Sequence, residues 1–205
     1  ILMPETGCNI QYKDINVVQK KNDIIRILWV GRLQTLKSLK LALDSLVTVK
    51  NEINFEFIII GDGPQEQYLK NYAKEVNIYN KCVFKGRIQN TKVLNLMRSS
   101  HFLLFTSLKE GTPHVVTEAL QEALPVICHN ACGHGLIVDK SCGITVEMRN
   151  YNCSVDGFSA AILNLSRDAN KLYTLSLGAL KKAEKINWDS KANEVYRLYK
   201  ELLKL

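Results

Sequence analysis

The sequence predicts an α/β fold in which a mostly parallel sheet is covered by helices on both faces. Short apolar runs of strand length alternate along the chain with longer segments of helical periodicity. The runs are continuously apolar, which is typical of strands buried on both faces, and the first two end at glycine. Strands joined through helices form right-handed crossovers, so neighbouring strands are expected to be parallel. The 205 residues, 46% of them hydrophobic, are enough for a sizeable core.

The apolar runs predict six strands. The first, IIRILWV, ends at Gly31, and the second, FEFIII, ends at the turn GDGP. The remaining runs are shorter but have the same character. The predicted strands span residues 24–30, 55–60, 82–86, 101–105, 125–129 and 143–146.

Helices are predicted between most of these strands. Apolar spacing indicates a helix over 36–49, one after GDGP with Tyr68, Leu69, Tyr72 and Val76 on its apolar side, and a short one over 92–100. Another ends near Glu122, while ACGHG after the fifth strand is interpreted as a glycine-rich turn. The rest of the chain is predicted to be helical and ends in an amphipathic helix over 188–205.

These elements predict one Rossmann-like domain, a three-layer α/β/α sandwich over residues 23–187. Residues 1–22 are interpreted as a linker or hinge. The chain does not begin with methionine, so we expect a piece of a longer protein.

Charge and cysteine content restrict the possible partners. The net charge of +7 is compatible with a phosphate-bearing ligand, anionic lipid or nucleic acid. Aromatic residues are not interleaved with Arg and Lys, which argues against nucleic acid. The six cysteines have no dense spacing, which indicates reduced cytosolic thiols. CHNACGH holds Cys128, His129, Cys132 and His134, but buried thiols and loop histidines are favoured over zinc, which prefers two spaced ligand pairs.

Three polar loops follow predicted strands and are expected to meet at one edge of the sheet. They are GRLQTLK, with Gly31, Arg32 and Lys37; GDGP, residues 61–64; and KEGTPHVVTE, residues 109–118. Ligands of open parallel sheets bind beyond the carboxyl ends of the strands. The planar guanidinium of Arg32 can hold a diphosphate, and Lys37 adds a mobile positive charge. The loops therefore predict a phosphate site.

The third loop also predicts a helix N-terminus suited to an anion. Thr112 is expected to be the N-cap and Pro113 the first helical residue, which leaves the backbone N–H groups of His114 and Val115 pointing outwards. Taken alone, an ordinary capped helix with Glu110 in solvent explains the pattern. Two carboxylates, Glu110 and Glu118, beside an anion site fit a ligand with hydroxyl-bearing rings on both sides of its phosphates. A nucleotide sugar has that layout.

The motifs GRLQTLK, IIIGDGP, CVFKGRI and EGTPHVVTEAL, followed by the closing NWDSKANEVYRLYKELL, occur in this order in a known family. From Ile24 onwards the chain resembles the C-terminal, nucleotide-sugar-binding half of retaining glycosyltransferases with the GT-B architecture, of the group 1 or family 4 type. The family commonly has glycine where Ser38 stands here, and His134 is unusual in ACGHG. The phosphate loop and the donor preference are therefore open at these points.

The resemblance implies roles for particular residues. Arg32 and Lys37 would neutralise the donor diphosphate and the charge that develops on it, and Glu110 would bind hydroxyls of the donor sugar near the reacting carbon. Glu118 would bind the ribose, and the base would lie against Arg87 and Ile88. No metal ion or cofactor would be needed. The backbone around the helix start, with Gly31 in the first loop, would complete the substrate site: Gly111, Thr112, Pro113, His114 and Val115.

The function that the resemblance implies is hexosyl transfer, with retention, from a nucleoside-diphosphate sugar such as a UDP-sugar. The acceptor would be a saccharide or a lipid-linked molecule, in cytoplasmic polysaccharide or glycolipid synthesis. Peripheral association with the inner face of the membrane stays open, although a solvated helix face also explains Lys191, Arg197 and Lys200. The resemblance also implies a missing N-terminal, acceptor-binding half, towards which helix 188–205 would pack. We expect the isolated chain to be inactive without that half.

Three other functions are alternatives to hexosyl transfer. A nucleotide-sugar epimerase has the same architecture, and a binding-only module that has lost catalysis would keep the same pocket. A dehydrogenase is disfavoured because GDGPQE has two of the three fingerprint glycines and follows the second strand.

Overall fold

One six-stranded sheet forms the centre of the fold. The structure is a computed structural model that describes residues 24–111 and 113–203. The strand order is β3-β2-β1-β4-β5-β6, and each neighbouring pair is parallel. The predicted parallel sheet is confirmed, and every predicted strand is present with ends within two residues. The strands are β1 Ile25–Val30, β2 Phe55–Ile60, β3 Cys82–Phe84, β4 Phe102–Phe105, β5 Val126–His129 and β6 Gly143–Val146.

Helices lie between and after the strands. They are α1 Leu39–Val49, α2 Glu66–Glu75, α3 Asn90–Ser99, α4 His114–Gln121, α5 Cys132–Ile137, α6 Tyr151–Arg167, α7 Ala169–Lys185 and α8 Trp188–Leu203. Two segments differ from the predictions. The predicted helix over 36–49 is a 3-10 turn, Thr35–Lys37, followed by α1, because Ser38 has left-handed backbone angles. The segment expected to be a glycine-rich turn forms the short helix α5.

The core lies in two layers, one on each face of the sheet. Side chains of β1 alternate between them: Ile27 and Trp29 belong to the cluster under α1 and α6, whereas Leu28 belongs to the cluster under α4 and α7. Leu28 and Ile27 are fully buried. Burial of each such side chain stabilises the fold by about 1.5–3 kcal/mol. The two clusters confirm the predicted three-layer arrangement, and burial on both faces explains why the strands are continuously apolar.

Glycines bring the loops after β1, β2 and β3 into contact. The N–H of Gly61 donates to the carbonyl of Gly86 at 2.8 Å, and the N–H of Gly31 donates to that of Ile60 at 3.0 Å. Gly61 has φ 130°, and a Cβ atom there would lie 1.9 Å from the Gly31 carbonyl oxygen. Only glycine permits this approach, because any side chain would overlap the neighbouring backbone. The loops after β1, β2 and β3 therefore form one continuous edge.

The apolar face of α8 is largely exposed. The most exposed large side chains on this helix are Tyr196, Tyr199, Leu202 and Leu203, at 59–78% of their full surface. The sequence predicted an amphipathic helix here, and the described part of the chain leaves much of its apolar face in solvent. Within residues 24–111 and 113–203, no helix combines the length and apolar character required to cross a bilayer.

Candidate functional site

A pocket of about 500 Å³ lies at the carboxyl ends of β1 and β2. The strand order changes direction between β1 and β4, which is where open α/β sheets bind their ligands. Four residues that the sequence assigned to one ligand share its wall: Gly31, Arg32, Arg87 and Ile88. Asp62 of the GDGP turn lines it as well. The loops after β1, β2 and β3 thus converge at this pocket. The topology predicted a common edge for the first two of them together with the loop after β4, and Arg87 and Ile88 were placed there by the family resemblance.

The loop after β4 meets the first loop through an ion pair. The ammonium of Lys37 contacts Oε1 of Glu110, although the two residues are 73 positions apart in sequence. Their side chains are 23% and 19% exposed, so the pair is shielded but reachable from solvent. Burial lowers the pKa of Lys37 from its ordinary value. Two residues predicted to touch the donor are therefore paired with each other.

Backbone hydrogen bonds fix these two loops relative to each other. The N–H of Leu108 donates to the Leu36 carbonyl at 2.9 Å, and the Thr106 hydroxyl donates to the Lys37 carbonyl at 3.0 Å. The N–H of Gly133, in α5, donates to the Glu110 carbonyl at 3.2 Å. The Glu110 loop is therefore held on one side by the first loop and on the other by α5, a helix that the sequence did not predict.

Glu118 lies near the wall of the same pocket. Its Oε1 is 3.4 Å from Nδ2 of Asn90 in α3, and Val93, one turn later on that helix, lines the pocket. Burial raises the pKa of Glu118, while the Asn90 contact acts in the opposite direction. Glu118 thus lies on the side of α4 that faces α3, although it is not among the residues that line the pocket.

The start of α4 differs from the prediction. Pro113 has φ −76° and ψ 114° and is the N-cap, so its assignment as the first helical residue was wrong. Its extended angles aim its carbonyl at the N–H of Val116, at 3.1 Å, and the helix begins at His114. Thr112, the predicted N-cap, lies outside the described residues. Among the described residues, neither the His114 nor the Val115 N–H donates to a backbone carbonyl outside the helices. Their role as donors to an anion stays a prediction.

The CHNACGH residues do not converge on a common point. His129 contacts Ser154 Oγ through Nε2 at 3.1 Å and the Ser107 carbonyl through Nδ1 at 3.5 Å. His134 is fully buried against the ring of Phe105, and burial lowers its pKa to about 4. The expectation of loop histidines was wrong, since both lie in regular elements. In the described segments, no three His, Cys, Asp or Glu side chains are placed to share a metal ion.

A larger concavity of about 690 Å³ runs along the edge strand β6. Thr145, Arg149 and Lys171 contribute to its wall, and none of the residues predicted to bind substrate does. It lies along the side of the sheet rather than at the strand ends. We therefore take the smaller pocket, where the polar loops converge, as the candidate site.

Comparison with known proteins identifies the family of this arrangement. The model of the family described as "Glycosyl transferases group 1" matches residues 11–182. An uncharacterized glycosyltransferase of Methanocaldococcus jannaschii, MJ1178, is 26% identical over 194 residues, which cover 93% of this chain and 53% of the relative.

Two further similarities concern proteins with more specific names. The first is the Campylobacter jejuni N-acetylgalactosamine-N,N'-diacetylbacillosaminyl-diphospho-undecaprenol 4-alpha-N-acetylgalactosaminyltransferase, 28% identical over 76% of this chain and 44% of its own length. The second is the crystal structure of the pneumococcal O-GlcNAc transferase GtfA in complex with UDP and GlcNAc, with TM-score 0.74 and 17% identity, covering 87% of this chain and 36% of GtfA. The fold is that of one half of the GT-B architecture, and the chain spans about half the length of the curated relatives it matches.

Proposed function

The chain belongs to the glycosyl transferases group 1 family, and we propose that it is the donor-binding half of a retaining hexosyltransferase that uses a nucleoside-diphosphate sugar. The observation that carries this proposal is the ion pair between Lys37 and Glu110 beside a pocket lined by Arg32. The cation and the carboxylate suit the two chemical parts of one ligand, a diphosphate and a hydroxyl-bearing sugar.

Binding would redistribute these charges. The diphosphate would take Lys37 and Arg32 as its cations, and the N–H groups of His114 and Val115 would donate to phosphate or sugar oxygens. Glu110, released from Lys37, would accept hydrogen bonds from the sugar, and Glu118 from the ribose. The base would lie in the pocket beside Arg87.

The same residues would act in the transfer step. As the bond between the sugar and the diphosphate breaks, negative charge grows on the leaving diphosphate, and Arg32 and Lys37 stabilise it where it develops. Because these two side chains would stabilise the negative charge, the transfer step would need no metal ion. Glu110 holds the sugar in the reactive orientation.

The acceptor would bind to a second half of the protein. The exposed apolar face of α8, with Tyr199 and Leu202, would pack towards that half, and residues 1–22 would form the connection. The Campylobacter jejuni relative is named for a diphospho-undecaprenol acceptor, which supports a lipid-linked or saccharide acceptor at the cytoplasmic face of a membrane. The chain alone would then bind donor but transfer little sugar.

Calorimetric titration of the chain with UDP, GDP and ADP tests the proposal and identifies the base. The GtfA complex makes UDP the first choice. We expect saturable binding of one of the three, weakened about tenfold or more by Arg32→Ala, because a charge-assisted hydrogen bond contributes about 1.5–3 kcal/mol. The matched control is Arg149→Ala, an exposed arginine outside the candidate pocket, which should bind like the parent chain. Absence of binding by all three nucleotides, or equal losses in the two variants, would contradict the proposal.

A further inference from the structure

The backbone carbonyl of Lys37 is not used by the helix that follows it. The N–H of Leu41, which would reach back to Lys37 in a regular α-helix, donates to the Ser38 carbonyl instead, at 3.0 Å. Ser38 has φ 48° and ψ 48°, so the chain turns sharply between the 3-10 turn and α1. A carbonyl that is partly buried and not used by its helix needs a partner from elsewhere. The hydroxyl of Thr106, at 3.0 Å, supplies it.

A second hydrogen bond orients the Thr106 hydroxyl. Thr106 follows β4 and is fully buried, and its Oγ1 accepts the indole N–H of Trp29 at 3.1 Å. An indole N–H can only donate, so the hydroxyl proton remains available for the Lys37 carbonyl. The result is a directed chain from β1 through the β4 loop to the backbone of Lys37.

The neighbouring residues fit this arrangement. A Cβ atom on Gly31 would lie 3.1 Å from the Trp29 ring, a tight contact that glycine avoids. The bond from Leu108 to the Leu36 carbonyl adds a second attachment one residue before Lys37. The loop that carries Glu110 therefore holds two consecutive carbonyls of the loop that carries Lys37.

We propose that Thr106 is a positioning residue for the donor diphosphate: it fixes the backbone of Lys37 so that the ammonium reaches the phosphates. The inference rests on the proposed function. Thr106 could not be placed in the site from the sequence, because its hydrogen-bond partners Trp29 and Lys37 are distant along the chain. A purely structural hydroxyl would affect stability and leave nucleotide affinity unchanged.

The first test measures the affinity of the 205-residue chain for UDP, or for GDP or ADP if that is the nucleotide it binds. Thr106→Val keeps the shape and removes the hydroxyl, and we expect affinity to fall about tenfold, while Thr106→Ser restores it. Ser159→Ala is the matched control, since it also removes a buried hydroxyl that donates to a backbone carbonyl, that of Ser45 at 3.1 Å, but lies between α6 and α1 outside this chain of bonds. It should lose stability and keep its affinity within about threefold of the parent chain.

Two further variants make the test decisive. In a Lys37→Ala background, Thr106→Val should cause no additional loss of affinity, because the two changes then remove the same interaction. If Thr106→Val does not fold, the double variant Trp29→Phe/Thr106→Val, which buries no unpaired indole N–H, should show the same tenfold loss.

The outcomes separate the two proposals. If the parent chain binds no nucleoside diphosphate, the proposed function fails and this inference fails with it. Suppose that the parent chain binds the nucleotide. If Thr106→Val binds it as tightly as the parent chain, or if Thr106→Val loses the same affinity with and without Lys37, the donor site stands and the positioning role is refuted. Loss of affinity only when Lys37 is present supports the role.

Discussion

Replacement of Glu110 by glutamine should change the affinities for two related ligands in opposite directions. In the unliganded protein Glu110 pairs with Lys37, and both side chains are mostly shielded. Glutamine has nearly the same shape but no charge, so Lys37 would no longer be held by a carboxylate. A bare nucleoside diphosphate then meets a free cation, whereas a nucleotide sugar loses the carboxylate that receives its hydroxyls.

The magnitudes follow from the exposure of the pair. An exposed ion pair contributes up to about 1 kcal/mol, and at roughly one-fifth exposure we take about 1 kcal/mol as the cost of separating it. Glu110→Gln should therefore tighten binding of UDP by up to about fivefold. Loss of a charge-assisted hydrogen bond to the sugar costs about 1.5–3 kcal/mol, so UDP-glucose should bind more weakly by about 0.5–2 kcal/mol after the same gain is subtracted.

The assay is calorimetric titration of each variant with UDP and with UDP-glucose, or with the corresponding pair for whichever base the chain binds. The ratio of the two dissociation constants isolates the contact with the sugar, because the diphosphate contribution cancels. Glu118→Gln is the matched control. It should weaken both ligands equally, since the ribose is common to them.

Two results would refute this reasoning. If Glu110→Gln weakens UDP as much as UDP-glucose, the ion pair does not compete with the diphosphate. If the ratio of dissociation constants stays at the parent value, Glu110 does not contact the sugar, and the assignment of the two carboxylates is wrong.

Two further predictions concern stability. Burial and nearby positive charges lower the pKa of His134 from 6.5 to about 4, so between these values the unfolded chain binds a proton that the folded chain does not. The free energy of unfolding should therefore decrease as the pH falls from 6.5 to 4, and His134→Leu should reduce that decrease in urea titrations; an unchanged pH dependence would contradict this. Ser38→Gly should raise the free energy of unfolding by about 0.5–1 kcal/mol, because glycine adopts φ 48° without the steric strain of a side chain. Ser38→Ala should give no such gain. Equal effects of the two changes would show that the left-handed backbone is not strained.

The strands could be predicted from the sequence because burial on both faces leaves a continuous apolar run. FEFIII and GITV match β2 and β6 without error. Helix α5 could not be predicted this way, since it has six residues, two of them glycine, and begins at Cys132 with φ 53°. Its position depends on tertiary contacts, among them the bond from Gly133 to the Glu110 carbonyl. Short helices of this kind have little local stability.

The candidate site was predictable as a location and not as a set of contacts. The topology of a parallel sheet predicts Gly31 and Arg32 at this edge, the family resemblance adds Arg87 and Ile88, and the structure places all four around one pocket. The pairing of Lys37 with Glu110 depends on side-chain conformations across 73 residues, which no local pattern encodes. The roles assigned to these residues in binding and transfer stay predictions.

The ion pair also bears on which ligands the proposed site would select. A mostly shielded lysine and a mostly shielded carboxylate are each unfavourable alone, and in the pair they compensate each other. A ligand with only a phosphate would take Lys37 and leave Glu110 without its cation, and a free sugar would take Glu110 and leave Lys37 without its anion. A nucleotide sugar supplies a partner for both at once. Under the proposed function, the ion pair would disfavour each fragment relative to the intact donor, which is the discrimination a transferase needs before its acceptor arrives.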